Sequence, residues 1–440
     1  MAKPLVKRGV KKLRLTDFRS YEFLSLDLDS SLCPVVLSGK NGAGKTNLLE
    51  AISFLAPGRG LRRARLGDVA RHVMSSDFSQ PASQAKWLLT GQGSETDIGS
   101  GDMGDTSDAG EDAAWMGKNL SVAQKQGKVI ELPKSWSVYA HLLTEVGPVE
   151  VGTGMLPFAG KRSVKINGQP VRSQADLGEC LSVLWLTPTM DRLFCSDPSS
   201  RRHFLDRLVQ SFDPLHAVRS TDYAHALKQW GCLLKEGRWN ESWLSSLEEI
   251  MALNGVAICA ARKDIVARLS GFLAQGDDEH IFPQAHIQLK GVLESALDTM
   301  PALQVEEFFK EKIKAGRRIY ADGGNFSGPH TSDFSVCYRE KNMDAALCST
   351  GEQKALLISI ILAQTQAQMK EKGVCPMLLL DEVTAHLDKT RQEALLEILQ
   401  KMPAQVWLTG TDVSVFQPLE GKAQFFNIEN SEAFALTAAA

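Results

Sequence analysis

Several features are scarce in this chain, and each scarcity closes a class of function. The eight cysteines stand singly, with no Cys-x-x-Cys pair and no histidine cluster beside them. That argues against a zinc site and fits reduced thiols. The longest unbroken apolar stretches, such as 360–363 and 377–380, are far too short to span a bilayer. The basic opening MAKPLVKRGVKKLRL lacks the apolar core of a secretory signal. No sustained heptad runs through residues 198–311, so no long coiled coil is expected. Net charge is scarce too: 49 Lys and Arg stand against 52 Asp and Glu, a balance of −3. Taken alone, that gives no hint of a nucleic-acid partner. The expectation is a soluble, cytoplasmic chain with no membrane to engage.

What is present is 440 residues with an ordinary hydrophobic fraction of 43%, enough for two to four domains or one fold carrying a large insertion. Charge is unevenly spread. Residues 91–113 hold seven acids, six glycines and no Lys or Arg, whereas residues 58–72 hold five Arg and one acid. The acidic stretch has too little apolar surface to offset its chain entropy, and 91–135 reads as a disordered insertion. The first 40 residues alternate in the manner of strands and end in the apolar run Pro34-Val35-Val36-Leu37. A helix follows from Lys45, with Leu48, Leu49, Ile52 and Leu55 on one face, and stops at Pro57-Gly58. Short strands return between about 130 and 186, with Asn167-Gly168 as a hairpin turn. Residues 198–311 read as almost wholly helical. Beyond 312, helix and strand alternate, which implies a parallel sheet. The reading is an α/β lobe built from both chain ends, 1–186 and 312–440, with a mainly helical lobe, 187–311, inserted between them.

Three motifs carry chemistry. Gly39-Lys40-Asn41-Gly42-Ala43-Gly44-Lys45-Thr46 fits G-x-x-x-x-G-K-[ST] at every fixed position, between an apolar strand and an amphipathic helix. Its glycines let backbone N–H groups approach phosphate oxygens at a helix N-terminus. Lys45 would neutralise the β- and γ-phosphates, and Thr46 would ligate Mg²⁺; the nucleotide-contacting set runs from Gly39 to Asn47. Met377-Leu378-Leu379-Leu380-Asp381-Glu382 is a buried strand ending in two carboxylates. Asp381 is assigned to the metal and Glu382 to polarising the attacking water. Ser349-Thr350-Gly351-Glu352-Gln353-Lys354 opens a helix and offers a second anion cradle. Ser349 with Glu352 also fits a capping box, and both roles can hold at once. Lys45 and Asp381 stand 336 positions apart, so something large lies between them.

This order of motifs resembles the ABC-type ATPases of DNA metabolism, and among them the RecF family of recombination mediators. The stretches that carry the resemblance are LRLTDFRSY at 13–21, GKNGAGKTNLLEAISFLAPGRGLRR at 39–63, RRHFLDRLV at 201–209 and GPHTSDF at 328–334. STGEQKALL at 349–357, LLLDEVTAHLD at 378–388 and TGTD at 409–412 complete it. The resemblance implies an ABC-ATPase-like P-loop lobe and a head-to-tail homodimer with two ATP molecules between protomers. Ser349, Gly351 and Glu352 of one protomer would face the P-loop of the other, and Asp388 would bridge the two sites. It further implies DNA binding in the ATP-bound state, a weak DNA-stimulated ATPase, and action with RecO and RecR in loading RecA at single-stranded gaps.

The chain departs from the family pattern in four places. The acidic insertion is not part of that pattern, and Gln80 and Gln84 compete for the Q-loop position. Thr331-Ser332 stand where many relatives carry Arg-Asp. No His follows AQVWLTGTD, where transporters have one, leaving Thr409 or Thr411 as substitutes. For DNA, the leading candidates are Arg59, Arg62, Arg63 and Arg65, with Arg71 nearby, since guanidinium forks contact phosphate without reading sequence. A solvated face or pairing to the acidic insertion is the competing reading; Arg201 and Arg202 are weaker DNA candidates. His330 is read as orienting a turn. Two other functions stay open: a transporter motor, which a DNA-indifferent ATPase would reveal, and a scaffold that ATP merely orders. The net charge no longer argues against DNA. Without 91–113 the balance is 49 − 45 = +4, and the acidic segment is expected to compete with DNA for the basic surface.

Overall fold

The computed structural model describes residues 9–29, 34–71, 134–144, 147–157, 160–237, 239–274 and 281–436. The acidic stretch 91–113, all but the last two residues of 91–135, and the two glutamines Gln80 and Gln84 lie outside them.

The alternating opening forms an antiparallel hairpin, β1 (Gly9–Phe18) and β2 (Tyr21–Asp27). Strands β4 (Trp136–Thr144), β5 (Gly147–Met155), β6 (Arg162–Ile166) and β7 (Gln169–Pro170) extend it in the order β2-β1-β4-β5-β6-β7. Asn167 and Gly168 join β6 to β7 with φ of 50° and 76°, the double left-handed geometry that favours Asn-Gly in a hairpin.

The second sheet mixes the two chain ends. It consists of β3 (Pro34–Ser38), β8 (Val183–Leu186), β12 (Met377–Leu380), β13 (Val406–Gly410), β14 (Gln424–Glu429) and β15 (Glu432–Leu436), ordered β15-β14-β3-β13-β12-β8. All pairs except β14–β15 are parallel. Its apolar runs are explained by burial on both faces. Val36, Leu184, Leu378, Leu380 and Leu408 point into a core shared with the helix Thr350–Lys372. Their neighbours Val35, Leu37, Val183, Leu379 and Trp407 point into a core shared with the helix Lys45–Ser53 and the first sheet. Gln405 ties the ends together, donating from its amide nitrogen to the Val10 carbonyl at 3.0 Å and accepting from the Val10 N–H at 2.9 Å.

The middle of the chain forms a third core around Trp230, Met251, Phe309 and Phe326, built by the helices His216–Lys235, Glu241–Ala274 and Ala302–Ala315. One element departs from the almost wholly helical reading. β9 (Ala285–Lys290) is a strand, paired with β10 (Asp333–Tyr338), which also pairs with β11 (Met343–Asp344). The helix Glu241–Ala274 is long and apolar enough to cross a bilayer, which the short unbroken runs had not suggested. Its inward face nevertheless carries two charges in ion pairs, Glu248 with Arg317 at 2.6 Å and Arg262 with Asp206 at 2.7 Å. That face is part of a packed core.

Candidate functional site

β3 delivers the chain into the Gly-rich loop, and the parallel neighbour β14 shapes the entry. Gly39 has φ 144°, and a Cβ there would lie 2.3 Å from the Ile428 carbonyl oxygen. Gly42 and Gly44 also have positive φ, 83° and 113°, so the loop needs glycine at each. Ala43 closes the turn with an N–H to the Lys40 carbonyl, and Tyr21 donates its hydroxyl to the Gly44 carbonyl. Lys45 folds back over the loop, donating to the carbonyls of Gly39 at 2.6 Å and Lys40 at 3.0 Å. Burial lowers its pKa, opposed by the charges of Glu382 and Asp381.

Thr46, at the start of the helix, meets β12 across 335 positions of sequence. Its hydroxyl donates to Asp381 Oδ2 at 2.9 Å. Thr409, buried at the end of β13, donates to Asp381 Oδ1 at 2.7 Å and accepts the Glu382 N–H at 2.9 Å. Thr411 is exposed and takes no part in this ring. Glu382 adopts φ 48°, a conformation that costs an ordinary L-residue roughly 1–2 kcal/mol. Its backbone is clamped on both sides: Thr409 holds the N–H, and the Lys354 ammonium donates to the carbonyl at 2.8 Å. Lys354 also pairs with Asp191 at 3.3 Å and is only 3% exposed. The sequence reading passed over Lys354 and Asp191. The fixed lysine of S-T-G-E-Q-K was the available signal for the first; nothing marked the second.

Ser349 caps the helix Thr350–Lys372 in a complete capping box with Glu352. Hydrogen bonds from Lys341 and Ser349 hold the Glu352 carboxyl down to about 2. A Cβ on Gly351 would lie 2.7 Å from the His386 carbonyl oxygen, which requires glycine there. Asp388 caps the next helix, Lys389–Lys401, by accepting the Arg391 N–H. Among the described residues, no hydrogen bond or ion pair joins Ser349, Gly351, Glu352 or Asp388 to the Gly-rich loop. One chain thus assembles the loop and the two carboxylates; of S-T-G-E-Q-K, Lys354 reaches the Glu382 carbonyl, while Ser349, Gly351 and Glu352 have no hydrogen bond or ion pair to the loop among the described residues.

The arginine cluster divides. Glu50, fully buried in the Lys45–Ser53 helix, accepts both forks of Arg19 at 2.7 and 2.9 Å and Arg62 at 2.9 Å. Arg62 also donates to Asn47, which in turn donates to Ser20. Arg71 pairs with Asp17 and Glu22. The acid partners of Arg62 and Arg71 in the described structure are therefore core and hairpin residues. Arg59, Arg63 and Arg65 have no ion pair among the described residues and line one cleft with Thr46 and Asp381. Arg201 is engaged bidentately by Asp333, both contacts at 2.8 Å, which removes it as a free phosphate contact; Arg202 donates to the Ser332 carbonyl. In the departing Thr331-Ser332 pair, Thr331 closes a turn onto Gly328 and buried Ser332 bonds Glu294. His330 lies in that turn, bonded to the Tyr223 hydroxyl, and burial brings its pKa down to about 4.

Residues 12–129 match the family described as the AAA domain. The chain is 41% identical over 424 residues to the DNA replication and repair protein RecF of Mesorhizobium japonicum, covering 96% of both chains. It is 39% identical to the RecF of Allorhizobium ampelinum, covering 96% of this chain and 98% of that one. Among solved structures, the recombination mediator RecF with ATP, of the RecFOR pathway, superposes with a TM-score of 0.74 at 19% identity, covering 99% of this chain and all of the other. That likeness shows a shared fold.

Proposed function

The chain belongs to the RecF family of DNA replication and repair proteins, and on that premise we propose that it is an ATP-dependent, DNA-binding recombination mediator. The observation that carries the reading is the ring joining Thr46, Asp381, Thr409 and the Glu382 backbone beneath the Lys45 loop. Phosphates would lie along the backbone from Gly39 to Asn47, against Lys45. Thr46 and Asp381 present only hard oxygen donors, a set that fits Mg²⁺. Bound there, the ion would neutralise charge on the phosphates. Glu382 is the carboxylate that would orient a water, and the clamps on its backbone support that reading.

The separation of Ser349, Gly351 and Asp388 from the loop supports a site completed by a second copy. A nucleotide that binds the closed dimer better than the monomer drives closure by its differential affinity, and its hydrolysis releases the dimer. Arg59, Arg63 and Arg65 supply phosphate contacts without sequence preference. RecO and RecR are the expected partners, because the superposed structure is described as part of the RecFOR pathway. The experiment is ATPase rate and sedimentation of the full chain, with and without gapped DNA. ATP-dependent dimers and DNA-stimulated turnover are expected. Turnover indifferent to DNA would instead favour a motor unrelated to DNA, and DNA binding without turnover would favour the scaffold.

A further inference from the structure

Three consecutive residues at the tip of the β1–β2 hairpin touch the Gly-rich loop and its helix at every third position. Tyr21 donates its hydroxyl to the Gly44 carbonyl at 3.1 Å, and Ser20 accepts from the Asn47 amide at 3.0 Å. Arg19 donates through two nitrogens to Glu50, at 2.7 and 2.9 Å. Positions three apart lie on one face of a helix, so the tip runs along a single side of it. Arg62, from the loop beyond the helix, joins two of the same residues. One of its nitrogens donates to Asn47 Oδ1 at 2.7 Å and to Glu50 Oε2 at 2.9 Å. Two guanidinium groups thus converge on Glu50, one from the hairpin and one from the arginine loop.

Glu50 is fully buried, and stability alone does not account for an acid there, since apolar side chains of similar volume serve a core as well as an ion cluster does. What a carboxylate adds is direction. Arg19 has φ 55°, a left-handed conformation that persists only where its surroundings impose it. Its third guanidinium nitrogen donates to the Asp68 carbonyl at 2.7 Å, and its backbone N–H to the Val69 carbonyl at 2.8 Å. The Asn47 amide is fixed in the same way, its oxygen held by Arg62 and its nitrogen by Ser20. It cannot turn without breaking one of these bonds.

Thr46 and Asn47 diverge by about 100° round the helix. Thr46 turns to Asp381, and Asn47 to the hairpin tip. The tip presses closely on the loop: a Cβ on Gly44 would lie 2.8 Å from the Tyr21 hydroxyl and 3.2 Å from that of Ser20. We propose that Glu50 is a positioning residue for nucleotide binding. Fully enclosed, its carboxylate aims Arg19 and Arg62, and through them it sets the hairpin tip and the Asn47 side chain against the phosphate loop. Its effect falls on affinity, because Thr46, Asp381 and Glu382 are held by bonds of their own. The proposal rests on the nucleotide-binding reading above and adds to it the residue that orders one wall of the site.

The full chain is compared as wild type, Glu50→Gln, Arg62→Met and the double variant, by calorimetric binding of a non-hydrolysable ATP analogue with Mg²⁺ and by ATP turnover without DNA. The Arg62 side chain is 40% exposed, so Arg62→Met probes the same bonds even where Glu50→Gln fails to fold. Glu50→Gln is expected to weaken nucleotide binding at least ~10-fold and Arg62→Met at least ~5-fold. KM should rise by the same factors while kcat at saturating ATP stays within about twofold of wild type. The double variant should bind no more weakly than Glu50→Gln, because both changes act through one set of bonds. Wild-type affinity in Arg62→Met, or losses that multiply in the double variant, would overturn the proposal. So would a fall in kcat as large as the rise in KM, which misplacement of the catalytic groups would produce. A wild type that does not bind the analogue would overturn the nucleotide reading itself, whereas a wild type that binds and a folded Glu50→Gln that binds equally well would overturn the role of Glu50 alone.

Discussion

Lys354 provides the sharpest test of how this site is held. Its ammonium is 3% exposed and joins Asp191 to the Glu382 carbonyl. Burial lowers the Lys354 pKa and raises that of Asp191, each against the attraction of the other. Lys354→Met removes the cation and leaves the Asp191 carboxylate, 14% exposed, with no partner. Breaking a buried pair this way costs about 3–5 kcal/mol; the residual access of Asp191 to water places this case near the lower end, about 3 kcal/mol. Separately, the charge-assisted bond to the Glu382 carbonyl disappears, worth about 1.5 kcal/mol, which converts to roughly tenfold in turnover. The two effects come apart in the double variant Lys354→Met/Asp191→Leu. Replacing both charges by apolar groups restores most of the stability, while Glu382 still lacks one of its two backbone clamps. The assays are denaturant unfolding and steady-state ATP turnover of the single and double variants. Turnover that recovers together with stability would refute the positioning role, and a stability loss under ~1 kcal/mol in the single variant would refute the buried-pair reasoning.

Three further outcomes are expected. Glu382→Gln should leave nucleotide binding intact and lengthen the life of the nucleotide-bound dimer, because the metal ligand Asp381 survives while the water-orienting carboxylate is gone; sedimentation showing no longer-lived dimer would remove that assignment. Gly39→Ala places a Cβ 2.3 Å from the Ile428 carbonyl at φ 144°, so the loop must shift off β14, and nucleotide affinity measured by calorimetry should fall at least ~10-fold; unchanged affinity would show that phosphate binding does not depend on the seat of the loop against β14. His330 has a folded pKa of about 4 against its usual 6.5, through burial first and then the charge of Arg202. The folded state thus binds fewer protons than the unfolded state between those values. Its contribution is complete above about pH 6.5 and is lost as pH falls through the window, up to about 3 kcal/mol. Urea unfolding from pH 7 to 4 should show this loss, and His330→Asn should flatten it; equal slopes in both proteins would count against it.

How much of this was legible in the sequence depends on whether a feature answers to its own neighbours or to distant ones. The Gly-rich loop, the strand ending in Asp381-Glu382 and the capping box at Ser349 are local patterns, and the chain spells them out. The parallel sheet was legible because burial on both faces leaves unbroken apolar runs. β9 was not, although Ala285, Ile287 and Leu289 alternate with His286, Gln288 and Lys290. Six residues of period two weigh little beside long helical stretches, and the partner that decides the matter, β10, begins at Asp333. Charged side chains were least legible of all. Glu50 reads as one more acid on an amphipathic helix, yet it is fully buried, and what allows that is Arg19, 31 positions away, and Arg62, 12 positions away. Arg62 and Arg63 are adjacent in sequence and alike in composition. The first is tied to the core through Glu50, and the second has no ion pair among the described residues and faces the cleft. Residue type tells which contacts a guanidinium can make, and only the fold tells whether a carboxylate reaches it first. An arginine cluster therefore predicts DNA contact only through the members left unpaired, here Arg59, Arg63 and Arg65, which have no ion pair among the described residues and line the cleft.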